Sequence, residues 1–319
     1  MASKAAYVTL LTSISYLAGV LVLNQSLRRV KSRYRLVVMV TPSLPDSARK
    51  ILYKQRIGVI EVETLRPPEG THKLHTHDAR FADTWTKLRG FGLVQFERIV
   101  LLDSDMIVLK NMDELMNTDL RGHDHIGAVH VCACNPRAFK HYPLDWRPAN
   151  CAYSTVCTPN GMPPAAHQNS PRPYSQLNSG TVVLNPSKEL FAGIKHFLAT
   201  HPRVSEWAFP DQDLLSEYFK GKWHPIPWSY NAFRSHRNVH PAMWSEDKIH
   251  CLHYIYADKP WQSRITPAKS DKGFDAMDRW WWDRFDALGE RMKKDDPEGW
   301  ILVLSSVDTH KKCGQPGQR

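Results

Sequence analysis

The sequence predicts an α/β fold in which a mixed, mostly parallel sheet is flanked by helices. Short apolar segments such as Ala6–Leu11, Leu36–Thr41 and Arg98–Leu102 have the length and the β-branched content of buried strands. Amphipathic stretches such as Tyr16–Val30 lie between them and predict helices. This alternation is typical of βαβ units, in which ligands bind beyond the carboxyl ends of the strands.

The same periodicities predict the remaining elements along the chain. Further strands are predicted at Val59–Val62, at Thr181–Leu184 and near Lys248–His253. Further helices are predicted to start at Asp46, to cover Thr84–Phe96, Ser187–Thr200 and Asp211–Phe219, and to include Trp280–Trp282. Residues 132–176 follow no period, which predicts a long insertion. We therefore expect a single domain over residues 1–300 and a C-terminal extension at 301–319 that ends in a polar tail.

The composition of the 319 residues narrows the class of protein. A hydrophobic content of 42% excludes a disordered chain, and 42 Lys+Arg against 32 Asp+Glu give a net charge of +10. This excess favours an anionic partner, but the basic residues are scattered and no nucleic-acid-binding motif is present, so nucleic acid is not expected. The apolar amino-terminal stretch lacks a cleavage site, and no segment is apolar enough to span a membrane. We expect a cytoplasmic protein.

Two carboxylates follow one of the predicted strands directly. Asp103 and Asp105 come after the apolar run of Arg98–Leu102, at the end of the strand where α/β sheets bind ligands. Residues two apart in an extended chain face the same way, so both carboxylates can share one divalent cation. Ser104 between them is small enough to let a phosphate or a ribose approach.

A second segment supplies a nitrogen ligand and a cation. His253 ends another apolar run, and Lys259 follows six residues later, just before Pro260. Two carboxylates and one imidazole favour Mn²⁺ over Mg²⁺, which takes oxygen ligands almost exclusively. Lys259 could neutralise a phosphate that the same metal holds.

Several motifs in order resemble glycosyltransferase family 8, the group of glycogenin and the plant galactinol synthases. The resemblance runs from about Ala6 to Trp282. Its motifs are Ala6 through Tyr16, Thr86-Lys87-Leu88, Asp103-Ser104-Asp105 (a DxD motif), Leu177-Asn178-Ser179-Gly180, Asp211-Gln212-Asp213, Tyr230-Asn231 and His253 through Trp261. Trp281-Trp282-Asp283 also resembles the galactinol synthase branch.

The resemblance implies a GT-A fold and a retaining transfer of galactose or glucose from a UDP-hexose, with Mn²⁺ or alternatively Mg²⁺. The uracil and ribose would be held by Leu10, Thr12 and Tyr16, and the metal by Asp103, Asp105 and His253. Lys259 would hold the diphosphate, with Ser104 nearby. The donor sugar would be surrounded by Lys87, Asn178, Ser179, Gly180, Asp211 and Gln212, of which Asp211, Gln212 and Lys87 are the predicted catalytic residues. Whether Asp211 or Gln212 stabilises the oxocarbenium-like centre or acts as a transient nucleophile stays open.

One residue departs from the family pattern and keeps alternatives open. Tyr256 stands where the family has a glycine that allows close approach to the phosphates, so the geometry of this loop is not carried over. A catalytically silent UDP-sugar-binding protein is therefore one alternative, and a self-glucosylating primer that uses Tyr142, Tyr153 or Tyr174 is another. The acceptor could be myo-inositol, another polyol or saccharide, or a protein. A homodimer also stays open.

Other clusters of polar residues have weaker functional meaning. The pairs Cys132/Cys134 and Cys151/Cys157 resemble a cysteine cluster of galactinol synthases and could hold a structural zinc, form a redox clamp or simply pack as thiols. His72, His75, His77, Asp78 and Arg80 favour a lid over the donor rather than a zinc site. Trp280–Trp282 are expected to dock a C-terminal helix.

Overall fold

The computed structural model describes residues 4–71, 83–262, 264 and 275–307. Its strands are β1 (Ala5–Leu11), β2 (Leu36–Val40), β3 (Gly58–Glu61), β4 (Arg98–Leu102), β5 (Met106–Val108), β6 (Ile126–His130), β7 (Leu177–Leu184), β8 (Trp223–Pro225), β9 (Ala232–Phe233) and β10 (Cys251–His253). Its α-helices are α1 (Leu17–Arg29), α2 (Asp46–Lys54), α3 (Lys188–Thr200), α4 (Pro210–Tyr218), α5 (His236–Val239), α6 (Asp275–Asp295) and α7 (Pro297–Ser305). The predicted α/β class is confirmed.

Seven strands of the described chain form the central sheet, in the order β3-β2-β1-β4-β7-β6-β8. The strands from β3 to β4 run parallel, as do β6 and β8, whereas β7 is antiparallel to both of its neighbours. Because Thr181 of β7 pairs with Leu102 of β4, the amino end of β7 lies at the same sheet edge as the carboxyl ends of β1 and β4. The predicted ligand-binding edge therefore gathers residues from strands of both directions.

Alternate residues of each central strand enter two different cores. In β4, Val100 and Leu102 pack with α1, α2, α6 and α7, whereas Ile99 and Leu101 pack on the other face with α3 and α4. This follows from the two-residue period of a strand, which sends successive side chains to opposite faces. The sheet is thus covered on both faces, as the apolar runs predict.

The predicted helix at Thr84–Phe96 differs from expectation. It is a 3₁₀ helix over Thr84–Gly92, and its closing hydrogen bond runs from the Leu93 N–H to the Gly90 carbonyl, three residues back. Its buried face still carries Thr86, Lys87 and Leu88 toward the sheet. The tighter helix therefore changes the local geometry but keeps these residues in the interior.

A second, three-stranded sheet in the order β5-β10-β9 lies beyond the end of β4. Strands β5 and β9 contain three and two residues, too few for a periodic pattern to be visible in the sequence, whereas β10 lies within the strand predicted near Lys248–His253. Antiparallel pairing of β10 with β5 sets His253 opposite Met106, the residue after Asp105. This small sheet brings the predicted metal ligands from two distant segments together.

The outer segments are described in part. Residues 132–176 contain only short 3₁₀ turns between irregular stretches. Helix α7 begins before residue 300 and ends after it, and its Val303 is buried against the core. The predicted lid residues between His72 and Arg80 and the polar tail from His310 lie outside the described residues. No helix in the described ranges is long and apolar enough to cross a membrane.

Candidate active site

Asp103 and Asp105 converge on one imidazole. The two residues lie in the turn between β4 and β5, rather than in a continuous extended strand as expected. The Nε2 atom of His253 is nevertheless 3.5 Å from Oδ2 of Asp103 and 3.3 Å from Oδ1 of Asp105. The ligand atoms of all three residues lie within 4.8 Å of one another. The turn therefore achieves the convergence that an extended segment was predicted to provide.

A chain of amide side chains fixes the orientation of His253. The His253 Nδ1 atom is 2.9 Å from Oδ1 of Asn231, whose amide nitrogen donates to Oδ1 of Asn178 at 2.7 Å. Asn178 in turn donates to Oε1 of Gln212 at 2.8 Å. Because an amide oxygen can only accept, Nδ1 donates to it, and Nε2 faces the carboxylates. This donor set, two carboxylates and an oriented imidazole, fits a divalent cation.

Close packing beneath the site depends on a glycine. A Cβ atom on Gly180 would lie 2.6 Å from Nδ1 of His253 and 2.9 Å from Oδ1 of Asn178. The backbone N–H of Gly180 donates to the same Asn178 oxygen at 2.9 Å. Gly180 therefore contributes to the site by lacking a side chain, because any larger residue would displace the His253 imidazole.

Two buried lysines balance the carboxylates. The Nζ atom of Lys87 lies 2.5 Å from Oδ1 of Asp103 and 3.8 Å from Oδ2 of Asp211. Lys259 donates to Oδ2 of Asp105 and, at 2.8 Å, to the carbonyl of Tyr254. Burial raises the pKa of Asp105, but the charges of Lys259 and His253 outweigh that effect and hold the pKa below its ordinary value. Asp105 is therefore ionised and ready to bind a cation.

The loop that carries Lys259 has a backbone conformation that favours glycine. Tyr256 has a φ of 80°, in the left-handed region where a side chain is disfavoured. Its ring compensates by packing against the guanidinium of Arg137, whose centre is 4.2 Å from the ring centroid. The tyrosine thus keeps the backbone conformation that a glycine would allow.

A buried arginine ties the same loop to the C-terminal helix. Arg234, which is 1% exposed, donates to the carbonyl of Ile255 at 3.2 Å and pairs with Asp278 of α6 at 3.2 Å. It also pairs with Asp258 at 2.9 Å. These contacts hold the backbone on the amino-terminal side of Lys259, so the position of the lysine depends on α6 as well as on its own loop.

The predicted uridine side of the cleft is apolar and aromatic. Leu10, Thr12 and Tyr16 all line it, and the Tyr16 ring meets Trp261 edge-to-face with centroids 5.4 Å apart. The Trp261 ring also contacts the ring of Trp281, which belongs to α6 and is fully buried. The prediction that Trp280–Trp282 dock the C-terminal helix is confirmed for Trp281 and Trp282, both of which are buried in the core.

The amino end of α4 presents two predicted catalytic residues. Asp211 and Gln212 are buried in the wall of the cleft. Burial raises the pKa of Asp211, and the nearby Lys87 opposes that effect. The Nε2 atom of Gln212 has no hydrogen-bond partner among the described residues, because Asn178 engages only its oxygen. This buried amide is therefore available to donate to an oxygen atom of a ligand.

An aromatic wall lines the cleft next to the amino end of α4, where Phe209 directly precedes the helix. Tyr142 and Trp146 from the insertion meet Phe209, with the Trp146 and Phe209 rings stacked at 4.8 Å. All three residues line the cleft. Such a wall suits the apolar face of a ring-shaped polyol or sugar.

The structure gathers the predicted site residues at this one edge of the sheet. All of them line the cleft except Gly180, which lies beneath His253. Sequence reasoning did not assign roles to Thr9, Asn231 or Arg234. Asn231 lies within a quoted motif, and its two hydrogen bonds explain its place there. Thr9 also lies within a quoted motif and lines the cleft, whereas Arg234 carries no signal in a single sequence.

Comparison with known proteins agrees with the family resemblance of the sequence motifs. The sequence model of "Glycosyl transferase family 8" matches residues 7–264. The chain is 30% identical to galactinol synthase 1 of Ajuga reptans over 299 residues, covering 93% of this chain and 85% of that one. It is 31% identical to galactinol synthase 6 of Arabidopsis thaliana over 290 residues, with coverages of 89% and 81%.

Solved structures show the same fold. The galactosyltransferase LgtC, solved with donor and acceptor sugar analogues, matches with a TM-score of 0.62 at 17% identity, covering 94% of this chain and all of that one. The bifunctional glycosyltransferase WbbM matches with a TM-score of 0.60 at 16% identity, covering 96% of this chain and 52% of that one. The likeness supports the predicted GT-A architecture.

Proposed function

Because the chain belongs to glycosyl transferase family 8, we propose that it is a UDP-hexose-dependent hexosyltransferase of EC 2.4.1 type that retains the anomeric configuration. The donor is UDP-galactose or UDP-glucose, and the acceptor is a hydroxyl group. One observation carries the proposal: Asp103, Asp105 and His253 converge between two buried lysines at the edge of the cleft. Cations on both sides of a metal-ligating cluster suit a diphosphate leaving group.

The metal-binding part of the proposal rests on the DxD carboxylates and His253. These three residues would hold Mn²⁺, or alternatively Mg²⁺, and the bound ion supplies Lewis-acid stabilisation of the diphosphate charge. The buried ammonium group of Lys259 lies in the same region and donates hydrogen bonds to Asp105 and to the carbonyl of Tyr254. It stabilises the charge that develops on UDP as the glycosidic bond to phosphate breaks. No proton donor is needed for this departure, because UDP leaves as an anion.

The donor sugar lies against the amino end of α4 in this proposal. Gln212 donates its unpartnered amide hydrogen to a sugar oxygen, and the Asn178–Gln212 hydrogen bond fixes the direction of that amide. Lys87 is held between Asp103 and Asp211 and so links the diphosphate side to the sugar side. Ser179, whose carbonyl accepts from Lys87, completes this wall.

The relatives and the aromatic wall favour one pairing of donor and acceptor. The similar proteins are named galactinol synthases, so we propose galactose as the transferred sugar and a cyclic polyol such as myo-inositol as the acceptor. Tyr142, Trp146 and Phe209 offer a ring-sized apolar surface within the cleft. The cytoplasmic location and the homodimer stay predictions.

A direct assay tests the proposal. The purified protein is incubated with UDP-galactose or UDP-glucose, Mn²⁺ and a panel of polyol and saccharide acceptors, and products are identified by mass spectrometry and NMR. We expect an α-linked galactosyl polyol, lost when Asp103→Asn and Asp105→Asn are combined. The matched control is Asp124→Asn, which removes an exposed carboxylate that does not line the cleft and should leave turnover unchanged. Binding of UDP without turnover of either donor would favour the silent binding protein.

Self-glycosylation is the second candidate, because Tyr142 lines the cleft. Tyr153, in contrast, is 1% exposed and packs against His240, so it is not a reachable acceptor. Intact-mass analysis after incubation with UDP-glucose distinguishes the two candidates. A ladder of added hexoses that disappears in Tyr142→Phe supports self-glycosylation, and an unchanged mass excludes it.

A further inference from the structure

A second group of metal-ligating side chains lies beside the acceptor wall. The Nε2 atom of His240 is 3.4 Å from the sulfur of Cys132, 3.4 Å from that of Cys134 and 3.5 Å from that of Cys151. The four ligand atoms all lie within 4.8 Å of one another. Cys134, Cys151 and His240 are buried, and Cys132 is half-buried. No step of the proposed transfer uses these residues.

The distances between the four ligand atoms match those of a tetrahedral metal site. A tetrahedral zinc with Zn–S of about 2.3 Å and Zn–N of about 2.0–2.1 Å places its sulfur and nitrogen ligands about 3.5 Å apart. All three sulfur–nitrogen distances here fall close to that value. The ligand types, three thiols and one imidazole, are those of closed structural zinc sites.

We propose that Cys132, Cys134, Cys151 and His240 bind one structural Zn²⁺ ion. All four coordination positions come from the protein, so the site has no open position for a substrate or a reacting water. The cysteines bind as thiolates and release their protons, and His240 binds as the neutral imidazole. The site is therefore structural rather than catalytic.

The four ligands come from three segments that the ion would join. Cys132 and Cys134 lie at the start of the insertion, just after β6, Cys151 lies further along the insertion, and His240 follows α5. Cys132 also lines the cleft, and Tyr153 covers the cluster from the insertion with its ring centroid 5.7 Å from that of His240. Zinc would thus fasten the irregular insertion, which carries Tyr142 and Trp146, to the sheet edge. In this way it would define the acceptor side of the cleft.

The structure also corrects the cysteine pairing that the sequence suggests. Cys157 does not join the cluster: it is exposed, and its sulfur contacts only the carbonyl of Thr155 at 3.6 Å. His240 takes the fourth place instead. Cys157 is therefore a matched control, because it is a cysteine of the same insertion that lies outside the proposed site.

Metal analysis of the full-length protein, purified without chelators, tests the proposal first. We expect about one zinc per chain by mass spectrometry of the metal content, and a sulfur-rich first shell with about one nitrogen by zinc X-ray absorption. The absorption measurement uses the wild-type chain, so it does not depend on a variant that folds. Absence of zinc, a shell of oxygen and nitrogen alone, or a disulfide among the cluster cysteines would overturn the proposal.

Two sets of variants separate this site from the carboxylate site. Cys151→Ser and His240→Ala should lose the bound zinc, whereas Cys157→Ser should retain it. The combined Asp103→Asn and Asp105→Asn variant should also retain it, because those carboxylates belong to the other cluster. Zinc that persists in Cys151→Ser and His240→Ala but disappears from the carboxylate variant would place the ion at the transfer site and contradict the proposal.

Discussion

The Nδ1 atom of His253 lies 2.9 Å from Oδ1 of Asn231, and this hydrogen bond determines which imidazole nitrogen faces the carboxylates of Asp103 and Asp105. Asn231 is fully buried and donates to Asn178, which donates to Gln212, so the orientations of these three amides depend on one another. One amide chain therefore orients both His253, the proposed metal ligand, and Gln212, the proposed sugar contact. We expect the two proposed sites to be coupled through this chain.

Asn231→Leu tests this coupling. The variant removes the acceptor for His253 Nδ1 and frees the imidazole to rotate, so Mn²⁺ affinity should fall by about 10–100-fold. Asn231→Asp restores an acceptor and should recover most of the affinity. Calorimetric Mn²⁺ titration measures both, with the exposed Asn238→Ala as the control. Equal affinity in Asn231→Leu and the wild type would show that Asn231 does not orient the ligand.

Lys259→Met tests the proposed stabilisation of the leaving group. Loss of an ammonium aimed at developing charge should lower kcat/KM by about 10²–10³-fold, by analogy with the removal of an oxyanion donor. The exposed Lys220→Met is the control and should retain full activity. Circular dichroism must accompany the kinetics, because the buried Asp105 loses its partner. A folded Lys259→Met variant with unchanged kcat/KM would contradict the assigned role.

Asp213 should make the stability of the protein depend on pH. Burial raises its pKa from the ordinary value to about 7, so the folded state keeps a proton that the unfolded chain releases near pH 4. The contribution is complete below about pH 4 and is lost as the pH rises from about 4 to about 7. Asp213→Asn removes it.

Denaturant unfolding at several pH values measures this effect. The free energy of unfolding of the wild type, relative to that of Asp213→Asn, should fall by on the order of 1–4 kcal/mol between pH 4 and pH 7. The exposed Glu69→Gln should follow the wild-type profile throughout. Parallel profiles for the wild type and Asp213→Asn would show that this carboxyl does not hold the proton.

Two substitutions at Tyr256 test whether its backbone has a positive φ. Tyr256→Gly and Tyr256→Ala both remove the ring, so the difference between them reports the backbone at φ 80°. Alanine ordinarily stabilises a position relative to glycine, but here glycine should be the more stable by about 1 kcal/mol. Thermal or denaturant unfolding measures the difference. An alanine variant at least as stable as the glycine variant would exclude the left-handed conformation.

Much of the fold and of the proposed site could be predicted from local patterns. Apolar runs predicted the strands on either side of the cleft, and Asp103, Asp105 and His253 each followed such a run. Their convergence could be predicted because ligands collect at the carboxyl ends of strands. The motif resemblance then supplied roles for Gln212 and Lys87 that spacing alone did not.

Other features depend on contacts between distant segments and carry no local signal. Strands β5 and β9 of the small sheet are too short to show a period, although the pairing of β5 with the predicted strand β10 brings His253 to Asp105. His240 lies 89 residues from Cys151, so nothing near the cysteines indicates it as their partner. The sequence gives no sign that Arg234 is buried, because its acceptors come from two other segments, the loop of Ile255 and Asp258 and helix α6 with Asp278.

Transfer of galactose from UDP-galactose to myo-inositol in the presence of Mn²⁺ tests the central claim most directly. NMR of the product should show a galactosyl polyol with the α configuration of the donor, and turnover should disappear when Asp103→Asn and Asp105→Asn are combined. Turnover that persists undiminished in the double variant, or a product with the inverted configuration, would contradict the account.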